Sequence, residues 1–391
     1  MHLLKRYTLL VAMSLLTVFP SLSQNDSIRC CLMTCSPGTE VYSLYGHTAL
    51  RYQNLTRNID LVFNYGMFSF NTPHFLYRFV KGETDYQLGV VPFRYFLAEY
   101  DMRGSSVYEQ ELNLTQQEKQ RLYYLLSENY KKENRTYRYN YFFDNCTTRA
   151  RDMIEASILG KVVYPDGLPN KSFRKIIHEF SLQNPWNIFG TDLCLGAEAD
   201  RTIDNREQMF SPIYMKGFAS GAYIQTADST SRPFLAGESV LVKGNREDEP
   251  ALPFTPSMFG VLFLALNVLI GWIQVQRRKI YWGWDVLTLL SQGIAGCVIA
   301  FLFFFSVHPT VGSNWMILLF NPVPLLALPY VVYTGIKGRK NPYFLCKMVY
   351  LTLFIALFPF LPQEFNITIL PLALGLLVSS ASHVLVYTKK I

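Results

Sequence analysis

The chain has 391 residues, half of them hydrophobic, and a formal net charge of +7 at pH 7. The charge is unevenly distributed, because residues 24–255 carry a net charge of −2 whereas the two flanking segments together carry +9. The basic residues therefore accompany hydrophobic stretches, which argues against a nucleic-acid-binding protein and predicts a membrane protein with a soluble middle region.

The N-terminus has the pattern of a secretory signal peptide. Lys5 and Arg6 precede an apolar run over residues 7–19, and small residues at 21–23 stand before Gln24. Such a run is short for a membrane span. We predict a signal peptide over residues 1–23, with an uncleaved anchor as the alternative, and in both cases the domain that follows is exported.

The exported domain, residues 24–243, is predicted to contain a small antiparallel sheet with helices around it. Thr115 and Glu118 form a capping-box pattern, which opens a helix that ends at Tyr130. Segments rich in Val, Tyr, Leu and Phe between turn residues predict the strands. The predicted strands are 40–52, 59–65, 86–91 and 107–112, with a late extended segment over 232–242. The other predicted helices are 73–79, 92–100, 173–180 and 207–217.

Cys146 stands where an aromatic stretch ends and a helix is predicted to begin. Unsatisfied backbone N–H groups and the positive end of the helix dipole favour a thiolate there, so we expect the pKa of the thiol below about 8.5. His47, about a hundred residues earlier, is the candidate base, and the pair indicates covalent acyl chemistry. We expect Asn64 on a neighbouring strand, where it would orient the imidazole. The backbone N–H of Cys146 is the candidate oxyanion donor.

Four further residues are candidates for substrate binding: Tyr42, Arg51, Asn145 and Arg149. Tyr42 and Asn145 are candidate helpers of the oxyanion donor, and Arg149 is a candidate ligand for a lipid phosphate. Each candidate also has a structural interpretation. A cysteine is often a small buried hydrophobe, a histidine after glycine is often a turn residue, and helix arginines are often solvated.

Five of the seven cysteines lie in the exported part, and an odd number leaves at least one thiol free. We assign Cys146 as the free one. The other four, Cys30, Cys31, Cys35 and Cys194, form at most two disulfides or none, and the pairing stays open. The sequence has no CxxC zinc spacing and no HExxH motif, so neither a metal site nor a cofactor is predicted.

A polar linker over residues 244–256 leads into a predicted membrane domain over residues 257–391. The predicted spans, each of about 20 residues, are 257–276, 286–307, 315–333, 344–361 and 365–387. Basic clusters at 277–279, 337–340 and 389–390 then all lie on the cytoplasmic side. We therefore predict a multi-pass protein of a bacterial inner membrane, with its catalytic domain on the periplasmic side.

Three motifs, at residues 35–51, 140–149 and 190–196, resemble the Lnb N-terminal periplasmic domain family over roughly Arg29 to Ala222. The resemblance implies a lipoprotein N-acyltransferase, which takes an acyl chain from a membrane phospholipid. A cysteine thioester then passes the chain to the N-terminal amine of a diacylglyceryl-cysteine lipoprotein. Phospholipid, diacylated lipoprotein and the bilayer are thus the expected partners.

The chain order of histidine, polar residue and cysteine is also similar to the circularly permuted NlpC-type papain-like fold. This likeness implies His47 as the base and Cys146 as the nucleophile, with Asn64 inferred as the third member. The predicted fold class is accordingly an α+β permuted papain-like (NlpC-type) periplasmic domain followed by an all-α transmembrane bundle of five helices.

Two alternatives to the acyltransferase remain at this level. One keeps the fold and acts on cell-wall peptides as an NlpC-type amidase or peptidase, although a single anchor would suffice for that reaction. The other is a non-enzymatic binding module or sensor, in which Cys146 is structural.

Overall fold

A computed structural model describes residues 26–38, 40, 43–166, 169, 171–226, 228–245 and 252–388. The predicted signal peptide, Tyr42 and the basic pair at 389–390 lie outside the described residues. The predicted linker, residues 244–256, lies partly outside them.

An antiparallel sheet organises the exported domain. The described strands are β1 (Ile28–Cys35), β2 (His47–Asn54), β3 (Ile59–Met67), β4 (Asp85–Pro92), β5 (Val107–Leu112), β6 (Thr136–Arg138), β7 (Lys161–Val163), β8 (Tyr223–Gln225), β9 (Ser231–Pro233) and β10 (Leu235–Val242). Seven strands of the described chain form the main sheet in the order β10-β5-β1-β2-β3-β4-β6. Strands β7, β8 and β9 form a second, smaller sheet.

Helices surround the main sheet and continue into the C-terminal region. Those of the exported domain are α1 (Phe75–Lys81), α2 (Phe93–Met102), α3 (Gln116–Tyr130), α4 (Cys146–Ser157), α5 (Phe173–Glu179), α6 (Pro185–Cys194), α7 (Asn205–Gln208) and α8 (Pro212–Gly221). Those of the C-terminal region are α9 (Pro256–Arg277), α10 (Trp282–Phe305), α11 (Val323–Ile336), α12 (Pro342–Leu357) and α13 (Ile369–Thr388). Short 3-10 turns cover Ala197–Asp200, Trp315–Leu318 and Phe358–Phe360.

The main sheet is covered on both faces. Leu50 of β2 packs in one core with Leu122 of α3 and Ile154 of α4, whereas the adjacent Ala49 lies in a second core with Phe96 of α2. Successive residues of a strand point to opposite faces of the sheet. Helices α3 and α4 therefore lie on one face and α2 on the other.

The capping-box prediction is confirmed. The Thr115 hydroxyl accepts a hydrogen bond from the backbone N–H of Glu118, and the Glu118 carboxylate accepts one from the backbone N–H of Thr115. Helix α3 then runs to Tyr130, as predicted.

The strand prediction for residues 40–52 was wrong at its start, because β2 begins only at His47. Gly46 ends the preceding turn with a φ of +80°, and a Cβ there would lie 2.6 Å from the carbonyl oxygen of Cys35. Only glycine fits such a close approach in a left-handed conformation. The turn places His47 at the first position of the strand.

Two further elements differ from the prediction. Strand β1 was missed because it is buried almost throughout, so its sequence lacks the polar alternation that marks a half-exposed strand. The helix predicted over 207–217 is two helices, α7 and α8, with Pro212 at the first position of α8. Proline has no N–H with which to continue a helix and is favoured at its start.

Five helices within the described residues are long and apolar enough to cross a membrane. They cover 256–277, 282–305, 315–336, 342–360 and 369–388, in agreement with the five predicted spans. The hydroxyl of Tyr387 donates a hydrogen bond of 2.8 Å to the carbonyl of Arg339, so the end of α13 meets the basic turn between α11 and α12.

The opposite end of the bundle holds the exported domain. The backbone N–H of Gly196 donates a 2.7 Å hydrogen bond to the carbonyl of Thr310, in the loop after α10. Asn366, just before α13, donates from Nδ2 to the Asp192 carboxylate at 3.0 Å. The domain thus sits at the end of the bundle that is remote from the basic turn, as the predicted orientation requires.

Candidate active site

Cys146 occupies the first position of α4 because Asn145 caps the helix. The Asn145 Oδ1 atom accepts hydrogen bonds from the backbone N–H groups of Thr147 (2.8 Å) and Thr148 (2.9 Å), which have no acceptor within the helix. The amide of Asn145 also donates to the carbonyls of Tyr141 and Phe210. Four hydrogen bonds therefore fix where the helix starts and where the thiol lies.

His47 and Asn64 lie on adjacent strands, β2 and β3, and their side chains meet. The Nε2 atom of His47 donates a short hydrogen bond to Oδ1 of Asn64. An amide oxygen only accepts, so Nε2 carries the proton and Nδ1 is the basic nitrogen of the neutral ring. Asn64 is therefore placed to hold the imidazole in one tautomer.

A bulge in β3 shapes this end of the sheet. Asn64 pairs with Gly89 of β4, but Met67 pairs with Gln87, so β3 has one residue more than β4 in this interval. Gly66 lies in the bulge with a φ of +88°, and a Cβ there would lie 3.7 Å from the Cβ of Cys146. Bulges redirect side chains next to functional sites. This one brings the chain of β3 directly against the cysteine.

Cys146 and His47 form an acid–base pair. Burial opposes ionisation of the thiol, but the charge of His47, a hydrogen bond to its ring and one from the backbone N–H of Thr48 hold the pKa of Cys146 below its usual value. Burial likewise opposes protonation of the imidazole, and the same contact with Cys146, with help from Asn64, raises the pKa of His47. The pair therefore favours thiolate and imidazolium.

Cys146 is only partly buried, in contrast to Cys30, Cys31 and Cys35 of β1. The structure thus brings together the three predicted catalytic residues: nucleophile, base and orienting amide. The backbone N–H of Cys146, at the start of α4, has no acceptor within the helix and lies at the positive end of the helix dipole. It is suited to stabilise an oxyanion.

Sequence reasoning missed the residues that line the imidazole from the side of α2. The ring of Tyr100 lies nearly parallel to that of His47, with an interplanar angle of 11° and centroids 6.3 Å apart. Cys35, opposite His47 in the β1–β2 register, is fully buried, which raises the pKa of its thiol. No local pattern marks Tyr100, because only the packing of α2 brings it to His47.

Three of the four predicted substrate-binding residues make contacts within the protein itself. Arg51 is buried, with ion pairs to Asp60 and Glu109. Arg149 makes two hydrogen bonds to Asp144, and its guanidinium lies 3.6 Å from the ring centroid of Tyr137. Asn145 uses its amide for the cap described above, and Tyr42 lies outside the described residues. These contacts favour structural roles for Arg51, Arg149 and Asn145.

All seven cysteines lie in the described part of the chain, and all are free thiols. Cys30 and Cys31 alternate along β1, so their side chains point to opposite faces of the sheet. Burial raises the pKa of Cys30 to about 12, and it also raises that of Cys194. Among the five cysteines of the exported domain, Cys146 is thus the one whose thiol pKa is lowered, whereas burial raises the pKa of the other four.

Two family models match the chain at either side of the linker. The Lnb N-terminal periplasmic domain matches residues 21–178, and the Lnb transmembrane domain matches residues 247–391. The chain belongs to the Lnb family. It is a multi-pass membrane protein with a periplasmic domain, and the family resemblance seen in the sequence is confirmed. No curated protein and no solved structure matches the chain.

The candidate site of this Lnb protein lies inside the matched periplasmic domain. His47, Asn64 and Cys146 all fall within residues 21–178. The loops that contact the periplasmic domain, such as the one with Asn366, lie inside the matched Lnb membrane domain. The two matched domains are therefore in direct contact in the structure.

Proposed function

We propose that this Lnb protein is a lipoprotein N-acyltransferase of the inner membrane that works through an acyl thioester on Cys146. The observation that carries the proposal is the contact of a helix-start thiol with an imidazole whose tautomer Asn64 selects. The second support is the five-helix bundle under the domain, because both substrates of such a transfer are embedded in the bilayer.

In the first half of the reaction the thiolate attacks the ester carbonyl of a phospholipid. The Sγ–C bond forms and the C–O bond to the glycerol breaks. The backbone N–H of Cys146 stabilises the intermediate oxyanion. His47, protonated in the resting pair, gives its proton to the leaving alkoxide, and a lysophospholipid departs.

In the second half the N-terminal amine of a diacylglyceryl-cysteine lipoprotein attacks the thioester. The N–C bond forms and the C–S bond breaks, which restores the thiolate. The neutral imidazole left by the first half accepts the proton that the amine loses. The pKa of such an amine is about 8, so a neutral fraction is present near pH 7. The reaction needs no cofactor.

We also propose that the periplasmic domain has the permuted papain-like fold of NlpC-type enzymes. Two features support this assignment. The histidine and its polar partner come from adjacent sheet strands that precede the cysteine in the chain, and the cysteine begins a helix that packs on that sheet.

The test replaces Cys146 by Ser in a host that depends on this protein and analyses lipoprotein N-termini by mass spectrometry. We expect N-acylation to disappear. The matched control is Cys194→Ser, in the same domain, with a thiol whose pKa is raised rather than lowered. Persisting N-acylation in the Cys146→Ser strain rejects the proposal.

A second measurement separates the proposal from a cell-wall amidase. Purified protein is incubated in parallel with phospholipid vesicles and with muropeptides, and its intact mass is recorded. We expect an added acyl mass that depends on Cys146 with the vesicles only. Cleavage of muropeptides without any acyl adduct would assign the site to peptide chemistry instead.

A further inference from the structure

Helix α1 and the segment before it expose large apolar side chains next to the membrane bundle. We call this surface the α1 rim and define it as Phe70, Leu76, Tyr77 and Phe79, which are 65%, 74%, 54% and 45% exposed. All seven residues of α1 are at least partly exposed, so the helix contributes little to the core of the domain. A contiguous exposed apolar surface of this kind indicates a lipid or a protein partner.

The α1 rim is fixed against the periplasmic end of α10. The backbone N–H of Val307 donates a 2.8 Å hydrogen bond to the carbonyl of Lys81, and the Ser306 hydroxyl donates one of 2.9 Å to the carbonyl of Val80. These contacts place the rim at the border between the domain and the bundle.

The rim also reaches below the end of α10. The ring of Tyr77 lies 5.9 Å from that of Phe301, one helical turn before the last residue of α10. A turn spans about 5.4 Å, so this contact lies at the depth of the first turn of the spanning helix. Phe304 and Phe305, in the same turn, are 67% and 63% exposed, as residues in contact with lipid are. The rim is thus continuous with the lipid-facing surface of the bundle.

A row of aromatic rings leads from the rim into the core against which Cys146 packs. Phe68 lies 4.9 Å from Phe70 of the rim and 4.9 Å from Tyr86, measured between ring centroids. Tyr86 stacks on Tyr139 at 4.1 Å. Phe68, Tyr139 and Cys146 pack against the same core of the domain. We call Phe68, Tyr86 and Tyr139 the aromatic path.

The charges of α1 are already neutralised. Arg78 pairs with Asp85 at 2.7 Å, and Lys81 pairs with Glu83 at 2.8 Å. The surface around the rim therefore offers apolar contact rather than free charge. An acyl chain fits this chemistry, because each methylene that leaves water for an apolar surface gains about 0.8 kcal/mol.

We propose that the α1 rim sits in the outer leaflet and admits one acyl chain of a bilayer phospholipid, which lies along the aromatic path with its ester carbonyl at Cys146. This inference rests on the proposed acyl transfer and names the route of the donor. The last ring of the row, Tyr139, packs against the same core as Cys146, and the first ring, Phe68, lies next to Phe70 of the rim.

The first test needs no catalysis. The full-length Cys146→Ser protein is placed in vesicles that contain a phospholipid with a photoreactive diazirine in one acyl chain, and crosslinked peptides are mapped by mass spectrometry. We expect crosslinks within residues 68–86 as well as on the bundle. The internal control is the turn at Leu55, 61% exposed and at the far end of β2 from His47. Labelling of 68–86 no stronger than that of the Leu55 turn overturns the proposal.

The second test compares Leu76→Glu with the control Leu55→Glu in otherwise unchanged full-length protein. We expect Leu76→Glu to slow formation of the acyl adduct from long-chain phospholipid vesicles at least 10-fold, because a carboxylate disfavours entry into the bilayer. Alkylation of Cys146 by water-soluble iodoacetamide should stay unchanged. An adduct rate equal to that of Leu55→Glu contradicts the route.

The two tests separate the two proposals. If the wild-type protein forms no acyl adduct at all, the proposed acyl transfer fails, while the crosslinks still decide whether a lipid chain occupies the rim. If the adduct forms but the crosslinks avoid residues 68–86, the acyl transfer stands and the route is wrong.

Discussion

At the candidate site two side chains, those of Cys146 and His47, stabilise each other's charged states, and a third, Asn64, holds the imidazole. The Cys146 thiol has a lowered pKa and the His47 imidazole a raised one, so each favours the ionised form of the other. Asn64 holds the ring through a single hydrogen bond. Both shifts move the pair toward thiolate and imidazolium.

This arrangement predicts the pH dependence of alkylation. A lowered pKa means that the thiolate persists to lower pH, so the rate of iodoacetamide labelling at Cys146 should rise with a midpoint below about 8.5, the value of a free cysteine. His47→Gln removes the cation and should move the midpoint upward. Peptide mass spectrometry across a pH series measures both. An unchanged midpoint in His47→Gln would show that the imidazole does not act on the sulfur.

Asn64 is predicted to be a positioning residue. Asn64→Leu removes the acceptor for Nε2 of His47, and we expect acyl transfer to fall 10- to 100-fold, as it does when second partners of catalytic histidines are lost. Asn64→Asp keeps an acceptor and should retain more activity than Asn64→Leu. Equal losses in both variants would contradict a role in orienting the ring.

At the level of elements, the start of α4 decides where the thiol stands. The cap residue Asn145 accepts from two backbone N–H groups and donates to two carbonyls, and it is buried. The β3 bulge at Gly66 and the turn at Gly46 then bring the two strands to that helix end. Three local backbone features, each set by a specific residue, therefore position the site.

Replacing the cap tests this view. Asn145→Ala should cost about 1–2 kcal/mol of stability and also slow alkylation of Cys146, because the helix start moves with its cap. The matched control is Thr115→Ala, which removes the cap of α3 far from the thiol. It should cost about 1 kcal/mol and leave alkylation unchanged. Thermal unfolding and labelling rates measure both. Unchanged labelling in Asn145→Ala would mean that the cap does not place the thiol.

At the level of the whole molecule, the periplasmic domain is locked to the bundle by a buried charge cluster. Arg174, almost fully buried, forms ion pairs with Asp192 and Asp200. Asp192 also accepts from His178 at 2.8 Å and from Asn366 of the membrane domain at 3.0 Å. The cluster therefore joins α5, α6 and the loop before α13. It keeps the domain at a fixed place above the bilayer.

Asp192→Asn is expected to weaken this lock. Arg174 keeps its ion pair with Asp200 but loses the charge-assisted bond to Asp192, so we expect a loss of about 1.5–3 kcal/mol and a lower Tm of the detergent-solubilised protein. The control Asp152→Asn, in an exposed pair with Arg206, should leave Tm unchanged. Equal Tm values for the two variants would show that the cluster does not hold the domains together.

The stability that Asp192 contributes should depend on pH. Burial would raise the pKa of Asp192, but hydrogen bonds from His178, Asn366 and Arg174 outweigh burial and lower it. A lowered folded-state pKa gives stability that is complete above the usual carboxyl pKa of about 4 and is lost as pH falls through the lowered value. The Tm difference between wild type and Asp192→Asn should therefore shrink only in that acid range.

The sequence by itself determined the elements that depend on interactions between residues close together in the chain. The five spans follow from uninterrupted apolar length, and their orientation from the basic turns between them. The Thr115 cap and the start of α4 at Cys146 follow from side chains that bond to their own helix. Residue types, chain order and flanking motifs also pointed to His47, Asn64 and Cys146, which the fold brings together and which stay the proposed catalytic residues.

Tertiary structure alone decided what depends on distant partners. Strand β1 has no alternation because both of its faces are buried, and Tyr100 reaches His47 only through the packing of α2 on the sheet. Arg51 and Arg149 are of a residue type that often binds anionic ligands, but carboxylates of the protein itself neutralise both. The α1 rim lies beside the membrane bundle only because hydrogen bonds hold α1 against the end of α10. Local sequence specifies a side chain, and the fold specifies what that side chain contacts.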